Sequence, residues 1–367
     1  MREYLDGNAA IVRGALAAGC SFFAGYPITP ASGILMAMMR ELPARGGIAI
    51  QGEDEIASIG MCIGAAMTGA RAMTATSGPG ISLYSENIGL AVMGEVPLVI
   101  VDVQRLGPAT GGATTVGQGD VQFVRWGTSG GYPIIALAPS TVAECYSLTV
   151  RAFELAERFR SPVFVLADKE LGMTLTTVEA DAFAPVEVRR RELATAGAPY
   201  RYEPAGDVPP MRRYGTGEPI RFTGSSHDEG ALITKGPPTI GALNRHLASK
   251  IDEHLDEIEL VDWDPQPGAR SLVLSYGVTA GAARLAVERT RARGVAVAGL
   301  VVQSLWPVPE AAIGLALEGI GRVVVPELNL GQYRREIERL AGDREVVGIG
   351  RVDGELVTPE EIGAAVG

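Results

Sequence analysis

Two short motifs near the start of the chain carry side chains suited to binding a polar ligand. The first is Tyr26-Pro27-Ile28-Thr29-Pro30, in which two prolines stiffen a turn and the threonine hydroxyl becomes a fixed hydrogen-bond partner. The second is Gln51-Gly52-Glu53-Asp54-Glu55, which places three acids in succession. Each motif follows a short apolar run and precedes a helical pattern. Both are therefore expected at the carboxyl edge of a sheet, where open α/β sheets bind ligands.

Each motif also has a structural explanation that needs no ligand. Thr29 is suited to be the N-cap of a helix whose first turn contains Pro30. The acids of the second motif complement the dipole at the start of a helix that runs from Glu55 to about residue 69. The position of the two motifs after neighbouring strands favours the ligand-binding interpretation.

A third candidate is Arg105, which follows an apolar strand predicted at 98–103 and should reach the same sheet edge. A guanidinium holds a carboxylate in a two-pronged hydrogen-bonded fork; the alternative is an exposed charge at a strand end. The loop Ser77-Gly78-Pro79-Gly80 is a poor phosphate cradle by itself, because the nearest cation in the sequence is Arg71. The chain lacks the dinucleotide-binding, P-loop and Gly-x-Ser-x-Gly motifs.

The elements that must position these residues alternate between strand and helix. Strands are predicted at 21–25, 48–51, 71–76, 98–103, 134–137, 163–167, 271–275, 295–302, 322–325 and 345–349. Helices are predicted at 8–18, 31–42, 55–69, 81–93, 141–158, 238–260, 278–293, 310–318, 331–341 and 359–366. Continuous β-branched runs between helices predict parallel sheets covered on both faces.

The pattern divides the chain into three regions. Residues 1–185 form a first α/β domain, residues 186–261 a connecting arm and helix, and residues 262–367 a smaller, doubly wound α/β domain. The arm is recognised by its prolines, glycines and Arg-Arg pairs, which replace apolar periodicity.

Composition limits the classes of partner and compartment. The 367 residues carry a net charge of −11 without a basic run, so nucleic acid and anionic membrane surfaces are not expected partners. The absence of a signal peptide and of a long apolar span predicts a cytoplasmic protein. Cys20, Cys62 and Cys145 lie far apart and are expected as buried thiols, without a disulfide or an iron–sulfur cluster. The three histidines, at positions 227, 246 and 254, are expected on the surface.

Four motifs occur in an order that resembles the α subunit of 2-oxoacid:ferredoxin oxidoreductases, which use thiamine diphosphate. The motifs lie at 26–30, 53–55, 76–80 and 105–114. The resemblance implies an α/β thiamine diphosphate-binding fold, in which a pyrimidine-binding domain with a doubly wound parallel sheet precedes a transketolase C-terminal-like α/β domain. The chain departs from the family at Ala109, where a serine is usual. His227-Asp228-Glu229 also resembles a family signature, but no mechanism attaches to it.

The resemblance assigns roles to individual residues. In this family the cofactor is activated by its own aminopyrimidine, which needs a partly buried carboxyl group at a ring nitrogen. Glu55 matches that acid, and Glu53 is the alternative. Thr29 and Arg105 are expected to bind the keto and carboxylate oxygens of the substrate, with a further hydroxyl from Thr114. The cofactor-binding residues expected beside Glu55 are Tyr26, Pro27, Ile28, Ser77 and Gly78.

The rest of the active site is expected on another polypeptide. Family members bind Mg²⁺ through a Gly-Asp-Gly motif of a β subunit, which also holds a [4Fe–4S] cluster, and this chain has no such motif. The resemblance therefore implies oxidative decarboxylation of a 2-oxoacid, with 2-oxoglutarate favoured, to acyl-CoA and CO₂. The expected partners are the β subunit, ferredoxin, coenzyme A and small γ and δ subunits. Two other functions stay open: a non-redox thiamine diphosphate decarboxylase subunit and a non-catalytic scaffold subunit.

Overall fold

The structure is a computed structural model that describes residues 2–188 and 191–366. The strands before the arm are β1 (Arg2–Leu5), β2 (Phe22–Gly25), β3 (Ile48–Gln51), β4 (Ala72–Thr76), β5 (Leu98–Gln104), β6 (Ile135–Leu137), β7 (Pro162–Asp168) and β8 (Thr176–Glu179). The helices before the arm are α1 (Gly7–Ala17), α2 (Ser32–Glu41), α3 (Glu55–Met67), α4 (Pro79–Leu83), α5 (Ser85–Met93), α6 (Val121–Trp126), α7 (Val142–Phe159) and α8 (Lys169–Met173). Short 3₁₀ turns lie at Pro43–Arg45 and Ala180–Phe183.

The elements after the arm continue the alternation. The strands are β9 (Val261–Asp264), β10 (Ser271–Ser275), β11 (Val297–Val302), β12 (Ser304–Trp306), β13 (Arg322–Glu327) and β14 (Glu345–Gly350). The helices are α9 (Pro237–Asp252), α10 (Leu255–Ile258), α11 (Thr279–Ala292), α12 (Glu310–Ala316), α13 (Arg334–Ala341) and α14 (Pro359–Val366). Among the helices within residues 2–188 and 191–366, none combines the length and the hydropathy needed to cross a bilayer.

A seven-stranded sheet forms the first unit, in the order β12-β6-β7-β5-β4-β2-β3. Its central strands β4, β5 and β7 are buried along their whole length, as expected of apolar runs covered on both faces. Successive residues face opposite sides, so Ile100 and Phe164 join one core cluster while Val99 and Val163 join the other. The predicted parallel α/β class is confirmed.

A five-stranded sheet forms the second unit, in the order β14-β13-β10-β11-β9. It is parallel except for β9, which pairs antiparallel with β11. The strand that follows β11, β12, leaves this sheet and pairs antiparallel with β6 of the first sheet. The sequence did not predict β9 or β12, because each is short and β12 is separated from β11 by Gln303 alone.

The arm holds to the first unit mainly through charged side chains. Between residues 184 and 236 the described chain contains no helix or strand. Arg191 forms a buried ion pair with Glu157 at 2.6 Å. Arg160 donates through Nη1 to the carbonyl oxygens of Pro199 and Pro209, both at 3.2 Å. These contacts, together with the buried side chains of Tyr200 and Met211, fix this irregular segment.

The start of α2 differs from the prediction. Thr29 is not the N-cap of this helix, because the helix begins at Ser32 and Ala31 occupies the cap position. The turn is longer than predicted, since Pro30 lies before the helix and its carbonyl oxygen accepts a hydrogen bond from Asn8 Nδ2 at 2.9 Å. The helix predicted at 81–93 is also divided, and α4 and α5 meet at Tyr84.

The prediction of surface histidines is wrong for His227 and His246, which are buried. His246 lies between Glu95 Oε2, at 3.0 Å, and the carbonyl oxygen of Ala205, at 2.7 Å. Its partner Glu95 is 151 residues away in the chain, so no local pattern predicts the contact. All three cysteines are buried free thiols, as predicted.

Candidate active site

Four parallel strands bring the predicted site residues to one sheet edge. Strands β3, β2, β4 and β5 are adjacent and run in the same direction. Their carboxyl ends are followed by the motifs at 51–55, 26–30 and 76–80 and by Arg105. The fold therefore places these segments next to one another, as the sequence predicts.

The acids of the second motif have separate environments. Asp54 is the N-cap of α3 and accepts a hydrogen bond from the Ala57 backbone N–H at 2.7 Å. Glu55 is the first helical residue and only 7% exposed, whereas Glu53 is exposed. Asp54 thus performs the structural capping role, and Glu55 is the acid that the protein shields from water.

A glycine allows the start of α4 to approach Glu55 closely. A Cβ atom at Gly80 would lie 3.0 Å from Glu55 Oε1 and 2.0 Å from Thr76 Oγ1. No larger residue fits at Gly80 without displacing one of these side chains. The neighbouring Ser77 hydroxyl is buried and has no hydrogen-bond partner within the described chain. The carboxyl group and this hydroxyl are therefore available to a polar ligand.

Arg105 joins two of the motifs and is buried, at 5% exposure, so the alternative of an exposed strand-end charge is wrong. Its Nη1 donates to the carbonyl oxygen of Thr29 at 2.5 Å, and its Nη2 donates to that of Thr110 at 3.0 Å. Two of the five guanidinium N–H groups are used in this way and Nε is buried, which leaves one N–H on each Nη atom for a ligand. The Arg105 side chain also passes Gly78, which has a φ of +47°, and a Cβ there would lie 3.3 Å from Arg105 Nε.

The remaining predicted residues lie at the margin of this arrangement. Tyr26 and Pro27 are exposed, and Ile28 is half-buried. Thr114 is exposed in the turn after Gly112, on the loop whose Thr110 carbonyl contacts Arg105. The structure thus brings Thr29, Ser77, Gly78 and Arg105 together next to Glu55, and leaves Thr114 on the solvent side.

A cavity of about 550 Å³ lies beside Arg105. The first unit contributes Arg105, Gly78 and Asp120 to its wall. The opposite wall comes from the second unit and contains Leu328, Asn329, Leu330, Gln332 and Val352. Sequence reasoning missed this second wall, because residues 328–332 follow β13 and no motif marks them.

A buried polar network connects the two walls. Asp168, at the end of β7, accepts hydrogen bonds from Gln118 Nε2 at 3.1 Å and from the Val278 backbone N–H at 2.6 Å. Gln118 Oε1 in turn accepts from the Leu328 backbone N–H at 3.0 Å, and the Gln118 carbonyl accepts from Asn329 Nδ2 at 2.8 Å. Burial raises the pKa of Asp168 to about 7, although these hydrogen bonds lower it. The carboxyl edges of the two sheets are thus held face to face around the cavity.

Two known protein families match most of the chain. Residues 13–235 match the family described as "Pyruvate flavodoxin/ferredoxin oxidoreductase, thiamine diP-bdg". Residues 269–362 match "Pyruvate:ferredoxin oxidoreductase core domain II". Together with the two α/β units, these matches confirm the predicted fold class, a thiamine diphosphate-binding domain followed by a transketolase C-terminal-like α/β domain.

Individual relatives are similar over nearly the whole chain. The 2-oxoglutarate synthase subunit KorA of Methanocaldococcus jannaschii is 42% identical over 99% of both chains. The ketoisovalerate oxidoreductase subunit VorB of Methanothermobacter thermautotrophicus is 36% identical over 98% of this chain and 96% of that protein. A solved structure of 2-oxoglutarate:ferredoxin oxidoreductase from Magnetococcus marinus, with 2-oxoglutarate, coenzyme A and succinyl-CoA bound, superposes with a TM-score of 0.94 at 33% identity. That match covers 100% of this chain and 64% of the solved chain.

Proposed function

The chain belongs to the pyruvate flavodoxin/ferredoxin oxidoreductase family, and we propose that it is the α subunit of a 2-oxoglutarate:ferredoxin oxidoreductase. The reaction converts 2-oxoglutarate, coenzyme A and oxidised ferredoxin to succinyl-CoA, CO₂ and reduced ferredoxin. The observation that carries the proposal is the placement of Glu55 and Arg105 at one sheet edge, both nearly buried. One offers a carboxyl group and the other a guanidinium, which are the two groups that this chemistry requires of the chain.

The residues around Glu55 fit the aminopyrimidine part of thiamine diphosphate. They combine a buried carboxyl group, the space at Gly80 that a Cβ would fill, and the unpartnered Ser77 hydroxyl. When bound, thiamine diphosphate supplies the nucleophilic carbon that lets a 2-oxoacid lose CO₂. Glu55 contributes by holding a proton-sharing hydrogen bond to the pyrimidine ring, in a position where bulk water does not compete.

Arg105 and Thr29 act on the substrate. The free N–H groups of Arg105 are suited to the carboxylate next to the reacting carbonyl, since a guanidinium binds both carboxylate oxygens at once. The hydrogen bond from Arg105 to the Thr29 carbonyl fixes the turn that carries the Thr29 hydroxyl. We assign that hydroxyl to the keto oxygen, and Thr114 remains a prediction as a second hydroxyl donor.

A partner is proposed to complete the site from the open side of the sheet edge. Large apolar side chains are exposed on the segments that follow β2, β3 and β4, namely Tyr26 at 37%, Met36 at 69%, Ile56 at 49% and Leu83 at 46%. Exposed apolar side chains of this size are typical of a surface that another chain covers. We assign this position to a β subunit that carries Mg²⁺, the diphosphate contacts and the [4Fe–4S] cluster. The net charge of −11 gives no support for nucleic acid or an anionic membrane as a partner.

Further partners and location follow from the same proposal. The chain spans 64% of the length of the solved relative. Small γ and δ subunits are proposed as further partners. Ferredoxin and coenzyme A complete the set of partners. We propose the cytoplasm as the compartment, since a reducing environment keeps the three free thiols as they are.

The substrate is tested with the assembled complex. The chain is co-expressed with its β subunit, and initial rates are measured with 2-oxoglutarate, pyruvate and 2-oxoisovalerate, with coenzyme A and ferredoxin present. Preference for 2-oxoglutarate supports the proposal. Preference for 2-oxoisovalerate supports the substrate of the VorB relative instead. A colourless complex that releases CO₂ without reducing ferredoxin identifies a non-redox decarboxylase, and a complex without cofactor identifies a scaffold.

A further inference from the structure

Two aspartates near Arg105, one of them at the cavity, have no role in the function proposed above. Asp102 belongs to β5 and is completely buried, at 0% exposure. Asp120 directly precedes α6 and lines the cavity together with Arg105. Neither residue belongs to a motif that the sequence singled out.

The two carboxyl groups contact each other in a way that requires a proton. A hydrogen bond between them raises the pKa of Asp102 and lowers the pKa of Asp120. Both Asp102 oxygens and Asp120 Oδ2 are buried. The Gly78 backbone N–H faces Asp102 and lowers its pKa, which opposes the effect of burial. Ionised carboxylates can only accept hydrogen bonds, so the contact is satisfied when one of the two groups is protonated.

The surroundings of the pair determine which aspartate holds that proton. Burial and the neighbouring charges of Asp120 and Asp168 raise the pKa of Asp102 well above its ordinary value. Burial raises the pKa of Asp120 to about 6, while the hydrogen bond from Asp102 and the positive charge of Arg105 lower it. Of the two, Asp102 is therefore the one that holds the proton, and above a pH of about 6 Asp120 is an anion at the same cavity as Arg105.

We propose that Asp120 is a further substrate-binding residue, which takes up one proton from solvent when a 2-oxoacid carboxylate binds to Arg105. The inference rests on the proposed function, because it needs an anionic substrate in this cavity. Without the proton, Asp120 and the substrate carboxylate repel each other and compete for one guanidinium. With the proton, Asp120 is neutral and its O–H becomes a hydrogen-bond donor.

Proton uptake gives substrate affinity a characteristic dependence on pH. Each bound substrate requires one proton at a pH above the pKa of Asp120 in the free enzyme. Because binding consumes a proton, KM for the 2-oxoacid is expected to rise with pH above about 6. The rise approaches a limit of about tenfold per pH unit. Below that value Asp120 is already protonated, so KM no longer falls.

The test measures proton uptake directly. N-oxalylglycine, an amide analogue of 2-oxoglutarate, is titrated calorimetrically into the assembled holoenzyme at pH 7.5 in buffers of different ionisation enthalpy. We expect close to one proton taken up per site by the unmodified complex and none by Asp120→Asn. The variant Asp102→Asn mimics the protonated neighbour and is expected to retain the uptake. The exposed residue Asp343 provides the control variant Asp343→Asn, which should behave as the unmodified complex.

Two results overturn the inference. One is binding without proton uptake in the unmodified complex, together with a KM that is constant between pH 6 and 8. The other is undiminished uptake in an assembled Asp120→Asn complex. If Asp120→Asn fails to assemble, the measurement on the unmodified complex still decides. A complex that neither binds nor turns over any 2-oxoacid contradicts the proposed function itself, so the two failures are distinguishable.

Discussion

Arg105 Nη1 lies 2.5 Å from the carbonyl oxygen of Thr29, which joins the end of β5 to the turn after β2 across 76 residues of sequence. The same guanidinium reaches the Thr110 carbonyl through Nη2. One side chain thereby fixes two loops and still presents free N–H groups towards the cavity. For this reason, the binding of substrate to Arg105 is coupled to the position of the two loops that carry Thr29 and Thr110.

Replacing Glu55 by glutamine should remove the activation of the cofactor with little effect on the fold. A general acid or base contributes about 100- to 10,000-fold to a rate, so Glu55→Gln in the assembled complex is expected to lose at least about 100-fold in kcat. The matched control is Glu53→Gln, which changes an exposed acid two residues away. Steady-state rates are measured for both variants. A Glu55→Gln complex with full turnover would contradict the assignment of Glu55 as the activating acid.

Replacing Arg105 should weaken substrate binding more than it slows the chemical step. Hydrogen bonds to a charged group contribute about 1.5–3 kcal/mol, so Arg105→Ala is expected to raise KM for the 2-oxoacid by about 10- to 100-fold. Arg105→Lys keeps the charge but loses the planar fork, and should give an intermediate KM. Arg45 is an exposed arginine to which we assign no function, and Arg45→Ala serves as the control. An unchanged KM in both Arg105 variants would remove the residue from the substrate site.

A methyl group at Gly80 should close the space beside Glu55. The Cβ would lie 2.0 Å from Thr76 Oγ1, so Gly80→Ala is expected to reduce both cofactor content and kcat. Gly60 is a matched control on α3, since a Cβ there meets no atom within 4 Å. Gly60→Ala should leave activity unchanged and stabilise the fold by about 0.4–1 kcal/mol. Thiamine diphosphate content is measured by fluorescence, and equal content in the two variants would argue against the proposed cradle.

The buried ion cluster of Glu95, Lys250 and Arg160 should matter for stability. Burial alone would raise the pKa of Glu95, but the charges of Lys250 and Arg160 hold it well below its ordinary value. Removing one partner of such a pair costs about 3–5 kcal/mol, so Glu95→Gln is expected to lower the thermal midpoint strongly. The exposed Glu229 gives the control, and Glu229→Gln should leave the midpoint unchanged.

The same cluster predicts a direction for the pH dependence of stability. A depressed folded pKa means that Glu95 stabilises the protein fully above its unfolded pKa of about 4.3, and that this contribution decreases progressively as the pH falls from there towards the lower pKa of the folded state. The difference in thermal midpoint between the unmodified protein and Glu95→Gln should therefore be constant from pH 7 to about pH 5 and should narrow as the pH falls towards 3. A difference between the two proteins that stays constant down to pH 3 would contradict this.

Local patterns predicted most of the helices and strands and the first wall of the site, because each signal was contained in a short stretch of sequence. The strand before Arg105 is a continuous apolar run, and the acids at 53–55 stand at a visible helix start. What the sequence did not predict depends on distant contacts. His246 is buried because Glu95 lies beside it, and Asn329 lines the cavity because the second sheet faces the first. Asp120 precedes a six-residue helix that is too short for its periodicity to be recognised.

Strand β12 makes the two halves of the polypeptide mutually dependent. It comes from the C-terminal region, yet it supplies the outermost strand next to β6. A chain cut before residue 304 would expose β6 as an unprotected edge, open to pairing with other chains and to aggregation. Separate expression of either half is therefore expected to give insoluble material, and limited proteolysis of the intact chain should spare the segment around β12.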